Sequence, residues 1–366
     1  MSNKIAVLPG DFIGPEVIDS ALAVLDAVGQ SHGLTLEYQR LPFGGGAIES
    51  HGEAFPQVTR DAVLQADAVL MGSVGGPVGD HPWNRLPREQ RVETGILALR
   101  RHLQVYANLR PVKVFPGLER LSPLRSERAA GTDLIIFREL TGGIYFGKPS
   151  SVTEERGVST MVYDRYEVER IARLAFETAR QRSGRVTNVD KANVLDVSQF
   201  WRNVVVELHQ SEFSDLELDH LYIDNAAMQV VRDPQAFDVL VMGNLFGDIM
   251  SDLAAVIPGS LGLLPSASLG GSVGLYEPVH GSAPDIAGKG IANPVGTILS
   301  AAMMLRHSLD QPAAAAAVEN AVQVALAEGP TVDLGGARGT EEFTRAVVNE
   351  LKSGSPTVSG VASAAG

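Results

Sequence analysis

In the run NLFGDIMSDLAAVIPG, residues 244–259, two aspartates stand four positions apart. If Asn244 caps a helix that Pro258 ends, Asp248 and Asp252 share one face of it, a turn apart. Carboxylates so placed repel and disfavour the helix unless positive charge sits between them. A hard divalent cation such as Mg²⁺ or Mn²⁺ meets that need with oxygen ligands. Asp224, at the tip of DHLYIDNAA, can supply a third oxygen. The same spacing also fits two solvated acids on an exposed helix face.

A second constellation is cationic. VETGILALRRHLQVYANLRP (92–111) reads as an amphipathic helix in which Val92, Ile96, Leu99 and Leu103 form a core stripe. Glu93, Leu97 and Arg100 lie on the adjoining face. An acid, an aliphatic and an arginine in line suit a ligand with carboxylate and hydrocarbon parts, although a snorkelling Arg beside a boundary Leu gives the same pattern. Arg110 and Arg138 stand at the ends of later elements. Guanidinium pairs bidentately with carboxylate, so three arginines among carboxylate-rich tips point to the clamping of a di-acid. Tyr145 follows a Gly-Gly turn in RELTGGIYFGKPS, and Lys191 ends a strand in NVDKANVLDVSQFWR. Both are acid–base groups when burial or neighbours tune them, and both residue types are also common in structural or solvated positions.

The elements that must hold these groups alternate. KIAVL (4–8) is a β-rich run, and PEVIDSALAVLDAVGQSHG puts Val17, Ala21, Val24, Leu25 and Val28 at helical spacing. Pro15 fits a first helical position, and Gly29 or Gly33 a stop. ADAVLMGSVGG, TDLIIFREL, VTNVDKAN, LDHLYIDNAA and FDVLVMGN read as strands, several running into polar tips at their carboxyl ends. Open α/β sheets bind ligands at such ends, though Asp and Asn also favour turns for local reasons. LYEPVHGSAPDIAGKGIANPVG (275–296) reads as a Gly- and Pro-rich loop leading to a helix capped by Asn293. PAAAAAVENAVQVALAEG is a strong helix former, and SGSPTVSGVASAAG (353–366) reads as a flexible tail. Strands alternating with helices imply an α/β architecture.

Composition narrows the function. The 366 residues are 45% hydrophobic and 20% charged, with a formal net charge of −13 and no cysteine. That balance argues against phosphate-tracking nucleic-acid binding, and the missing cysteine removes disulfides, thiolate metal sites and a Cys nucleophile. No segment approaches the roughly 20 apolar residues of a membrane span. The first apolar run is too short for a signal peptide, so a cytoplasmic protein is expected. No GxGxxG follows a strand, so a bound dinucleotide would not use the common Rossmann fingerprint.

Taken together, LPGDFIGPEV, ETGILALR, YANLRP, RELTGGIYFG, DKANVL, NLFGDIMSDL, GSLGLLPSASLG and HGSAPDIAGKGIANP resemble the isocitrate/isopropylmalate dehydrogenase family of β-decarboxylating dehydrogenases. The resemblance runs to about residue 350. It implies an α/β fold of mixed sheets with flanking helices, not a true Rossmann fold. It implies two domains, 1–105 with 259–366 for the cofactor and 106–258 for substrate and dimerisation, and an arm near 140–163. It further implies a homodimer with shared sites, in which the lysine and first aspartate reach into the neighbour. Tyr145 and Lys191 match the family's catalytic pair, and Asp224, Asp248 and Asp252 its metal ligands. Glu93, Ile96, Leu97, Arg100, Arg110, Arg138, Val194 and Asp224 match substrate positions. Glu277, His280, Gly281, Ser282, Ala283, Asp285, Ile286 and Asn293 match positions that bind the dinucleotide.

The implied chemistry is NAD-dependent oxidation of a 2-hydroxy diacid followed by loss of CO₂, with Mg²⁺ or Mn²⁺. Two aliphatics at Ile96 and Leu97 favour 3-isopropylmalate. Relatives acting on malate, tartrate or homoisocitrate, and a non-catalytic binder of metal or acid, are the alternatives. A carboxylate at Asp285 repels a 2′-phosphate and favours NAD over NADP, by the logic of the ribose acid in Rossmann enzymes. One residue departs from the family pattern GDGIGPEV: Phe12 stands where a glycine is usual. A left-handed Phe would be strained, so a negative φ or a shifted loop is expected there.

Overall fold

The computed structural model describes residues 2–77, 79 and 81–353, so all but the first residue of the expected 353–366 tail lies outside the described residues. The chain divides into two compact units, Met1–Gly95 with Tyr276–Gly366, and Ile96–Leu275.

The strands are β1 Ser2–Leu8, β2 Thr35–Arg40, β3 Ala68–Met71, β4 Ala107–Lys113, β5 Asp133–Glu139, β6 Ser151–Val152, β7 Gly157–Val158, β8 Arg185–Asp190, β9 Glu217–Tyr222, β10 Val239–Met242, β11 Pro265–Leu269 and β12 Gly274–Pro278. The helices are α1 Gly14–His32, α2 Gly45–His51, α3 Gln57–Val63, α4 Val92–His102, α5 Ser126–Ala129, α6 Arg165–Arg180, α7 Asp196–Glu212, α8 Ile223–Arg232, α9 Asn244–Ala255, α10 Val295–His307, α11 Pro312–Glu328 and α12 Thr340–Ser353. Among the described residues no helix is long and apolar enough to cross a membrane.

In the first unit β2, β1 and β3 run parallel, with β12 beside β3. Ile5–Leu8 and all of β3 are buried, as parallel strands covered on both faces must be. The α1 stripe of Val17, Ala21, Val24, Leu25 and Val28 is completely buried. Each buried Val or Leu of the stripe contributes about 1.5–3 kcal/mol of transfer free energy, so the stripe is what docks the helix. The helix runs through Gly29 and stops at Gly33, whose φ of 67° makes a left-handed cap.

In the second unit the order is β11-β4-β5-β10-β8-β9. β11 and β5 flank β4 antiparallel, whereas β5, β10, β8 and β9 run parallel. The carboxyl ends of these four parallel strands therefore share one edge, which carries Arg138, the start of α9, Lys191 and Asp224. Leu134, Ile136, Val189, Leu240, Met242, Met250 and Ala254 form the core that fastens α9 to this sheet. The short β6–β7 hairpin lies within 140–163 and leaves Val152 88% exposed.

Four local expectations are corrected. The helix expected over 92–111 ends at His102; Gln104 takes a positive φ of 56°, and Ala107–Lys113 is strand β4. Its apolar residues pair with β5 and β11, and that long-range pairing overrides the helical spacing. Residues 275–278 belong to buried strand β12, not to the loop that follows. Asn244 does not cap α9: it is the first helical residue, and its side chain bonds elsewhere. Phe12 takes a φ of +51°, the left-handed geometry expected to be avoided.

The reason for the last lies in the neighbours of Phe12. Asp11 donates its N–H to Ser73 O at 2.8 Å, and Ile13 donates to Ser282 O at 3.1 Å. The buried Asp11 carboxylate accepts from the N–H groups of Gly45, Gly46 and Gly75 at 2.9–3.0 Å. Gly10, at φ +78°, leaves no room for a side chain, because a Cβ would sit 2.2 Å from Ser73 O. Both flanks of residue 12 are thus fixed by other segments, and Phe12 adopts the backbone they leave. Its ring packs against Trp83 at a centroid distance of 5.9 Å.

Candidate active site

The second unit gathers five of the expected residues. Arg110 faces Ile136 across β4–β5, and Arg138 faces Asn108. The two arginines are therefore diagonal neighbours on one face of the sheet, the face on which α9 lies. Arg110 Nη1 donates to Asp252 at 2.8 Å and to Ser251 at 3.0 Å, while its Nε donates to Asn108 at 2.9 Å. Arg138 pairs with Asp248 and donates twice to Asn244 Oδ1, at 3.1 and 2.9 Å. Tyr145 Oη donates to the other Asp248 oxygen at 2.9 Å. Asp248 and Asp252 do share a face of α9, and their mutual repulsion is met by two guanidiniums from the sheet.

Close packing makes this array possible. A Cβ on Gly247 would lie 2.6 Å from the Cβ and Cγ of Arg138, so only glycine lets α9 approach β5. Burial pulls the Arg138 guanidinium down to a pKa of about 10; Asp248 opposes that, and the charges of Arg110 and Arg100 add to it. The three arginines are thus electrostatic neighbours. Burial, and then the Asp248 hydrogen bond, push the Tyr145 phenol up from its ordinary value.

Lys191 and Asp224 form a separate pair, Nζ to Oδ1 at 2.6 Å. They follow β8 and β9, and the bond with Lys191 holds the Asp224 carboxyl below its ordinary value. Val194, on the turn after Lys191, is 68% exposed. On α4, Leu97 is exposed and Ile96 half-buried, next to the buried Leu99 of the core stripe; Glu93 is exposed in the first turn.

The residues matched to the dinucleotide lie in the first unit. Glu277, Ser282 and Asn293 are buried, while Gly281 and Asp285 are exposed. His280 Nδ1 bonds Gly281 O at 2.9 Å, and Ser282 Oγ donates to Gly75 O at 2.9 Å. Asn293 Oδ1 accepts the Val295 N–H, so it does serve the start of α10. Ala283 and Ile286 pack on the small core of Ile13, Val17 and Ala292. The loop is thereby tied to the turn that contains Phe12. Sequence reasoning missed Asn108, Ser251 and the side-chain role of Asn244, since a neutral amide or hydroxyl carries no signal until its partners are known.

The carboxylates of Asp248 and Asp252 are the oxygen donors a hard divalent ion takes, and their charges suit one. Among the described residues, no group of three or more acidic, His or Cys side chains converges within the single chain. Asp248 and Asp252 therefore fit two positions of such a site, and Asp224 is paired with Lys191.

An arginine–carboxylate array on a mixed sheet, beside the carboxyl ends of its parallel strands, is a setting suited to a small acidic ligand. The sequence model of the isocitrate/isopropylmalate dehydrogenase family matches residues 4–347, and the chain belongs to that family. It is 55% identical to the 3-isopropylmalate dehydrogenase of Deinococcus radiodurans over 97% of this chain and 99% of that one. It is 56% identical to the 3-isopropylmalate dehydrogenase of Salinibacter ruber over 96% and 94%. The crystal structure of isocitrate dehydrogenase from Methylococcus capsulatus superposes with a TM-score of 0.82 at 36% identity, over 96% and 99% of the two chains.

Proposed function

We propose that the chain catalyses the NAD-dependent oxidative decarboxylation of 3-isopropylmalate to 4-methyl-2-oxopentanoate, CO₂ and NADH, a step of leucine biosynthesis. The observation that carries this reading is identity above 50% to 3-isopropylmalate dehydrogenases over nearly the full length, joined to the arginine–aspartate–tyrosine array. Arg100, Arg110 and Arg138 bind the two carboxylates as paired, directional donors. Ile96 and Leu97 meet the isopropyl group, with Glu93 and Val194 at its margin. Lys191 takes the hydroxyl proton, directly or through one water, as hydride leaves the neighbouring carbon. Tyr145 returns a proton to the carbon that has lost CO₂, and its raised pKa keeps it protonated for that task. Asp248 and Asp252, with Asp224, would hold Mg²⁺ or Mn²⁺. When bound, that ion supplies positive charge beside the hydroxyl and carboxylate oxygens, and NAD supplies the hydride acceptor. Glu277, His280, Gly281, Ser282, Ala283, Ile286 and Asn293 shape the dinucleotide loop, and Asp285 selects NAD.

The working form in this reading is a homodimer with shared sites. Met228, Ile249 and Val256 on and just beyond α8 and α9 are each at least half exposed, an apolar surface that a second copy would cover. Asp224 is then supplied to the other copy's pair of aspartates together with Lys191.

Absorbance of NADH tests the activity, with 3-isopropylmalate, malate, tartrate, isocitrate and homoisocitrate as substrates, in Mn²⁺ and in EDTA. Turnover is expected with 3-isopropylmalate and Mn²⁺; turnover only with another acid, or undiminished turnover in EDTA, would contradict the assignment. Sharing is tested by subunit exchange between Lys191→Ala and Asp252→Asn proteins. Random mixing should restore about a quarter of parent activity, since half the dimers carry one intact site. A mixture as inactive as its components would end the shared-site reading.

A further inference from the structure

Behind Lys191 lies a buried polar assembly to which the reaction above gives no task. Asp190, the last residue of β8, is 2% exposed, and a buried carboxylate is costly unless its oxygens are satisfied. Here four donors satisfy it. Arg202 of α7 grips it with Nε at 2.8 Å and Nη2 at 2.7 Å. Asn188 Nδ2 donates at 2.7 Å and the Ala192 N–H at 2.9 Å. Asn188 is itself held by Trp201 Nε1 at 2.8 Å. The bond to Ala192 fixes the peptide just after Lys191, and the N–H groups of Val194 and Leu195 close on Lys191 O at 3.0 Å. Lys191 therefore projects from a backbone clamped on both sides.

The same arginine reaches the neighbouring strand. Asp190 and Tyr222 are register partners across β8–β9, and the Arg202 guanidinium lies 5.0 Å above the Tyr222 ring. Tyr222 is the residue from which α8 starts, and Asp224 stands in the first turn. One guanidinium thus fastens the end of β8 to the end of β9, and one or two residues further on Lys191 meets Asp224.

We infer that Arg202 is a positioning residue for the reaction: by clamping Asp190 and covering Tyr222 it sets where the Lys191 amino group is presented. The inference rests on the reading of Lys191 as the base, and its test separates the two. Arg202→Lys keeps the charge and loses the planar fork. The variant is assayed as the full chain with NAD, Mn²⁺ and 3-isopropylmalate, with binding sites counted by calorimetric titration. Expected is a fall in kcat per counted site on the order of ten-fold or more, since small misplacement of a reacting group is that costly, with KM changed far less. In a Lys191→Ala background the same substitution should add no further loss. A kcat per site equal to the parent's overturns the inference, including the case where activity falls only in step with the number of sites. An additive loss in the double variant does the same. If Arg202→Lys yields no countable sites, Asp190→Asn and Tyr222→Leu are read by the same criteria. Lys191→Ala with undiminished kcat would instead overturn the reading of Lys191 itself.

Discussion

Phe12 permits a quantitative test of how the first unit is built. Its left-handed backbone is imposed from both sides, by Asp11 bonding to Ser73 and by Ile13 bonding to Ser282. An L-residue in that region carries a penalty of about 1–2 kcal/mol that glycine escapes. Glycine returns roughly 0.4–1 kcal/mol of this through its larger unfolded-state entropy. The tilted contact between the Phe12 and Trp83 rings contributes about 0.5–1.5 kcal/mol. Phe12→Ala loses the ring contact and keeps the backbone penalty. Phe12→Gly loses the contact and relieves the penalty. The glycine variant should therefore be more stable than the alanine variant by about 0.5–1 kcal/mol. Urea unfolding followed by circular dichroism and tryptophan emission gives the order of midpoints. An alanine variant as stable as the glycine variant would mean that residue 12 is not left-handed in solution, and the account of the turn would fail.

Gly247→Ala forces a Cβ to within 2.6 Å of Arg138, so α9 must lift from β5; kcat/KM should drop by roughly ten- to a hundred-fold, and an unaffected value would show that the Arg138–Asp248 contact does not matter for turnover. Burial, then the charge of Arg202, lowers the pKa of His220 below 6.5 in the folded chain. The unfolded chain then binds more protons in the window just below pH 6.5, so stability is full above that pH and declines as pH falls through the window. Urea midpoints at pH 5 and pH 7.5 should diverge in the parent and diverge less in His220→Gln, the remaining difference coming from His280 and His307, which burial shifts the same way; equal divergence in both would remove His220 as a cause. Asp285→Lys combined with Ile286→Tyr should shift preference from NAD towards NADP in kcat/KM, and no shift would locate the ribose contact elsewhere.

The local grammar of the chain was readable without coordinates wherever one element decided the matter. The α1 stripe from Val17 to Val28 is buried as its spacing requires, because helical periodicity is a property of the helix alone. Asp248 and Asp252 share a face for the same reason. Polar ends of hydrophobic strands marked where Arg138, Lys191 and Asp224 would emerge. Tertiary structure decided what depends on residues far apart in sequence. That Arg110 meets Asp252 and Arg138 meets Asp248 follows from the β4–β5 register and from the missing side chain at Gly247. That 107–113 is a strand follows from its partners on either side. The backbone of Phe12 departs from its own local preference because that preference is weaker than the hydrogen bonds that close the turn around it, donated by its neighbours to Ser73 O and Ser282 O and by three distant glycines to Asp11.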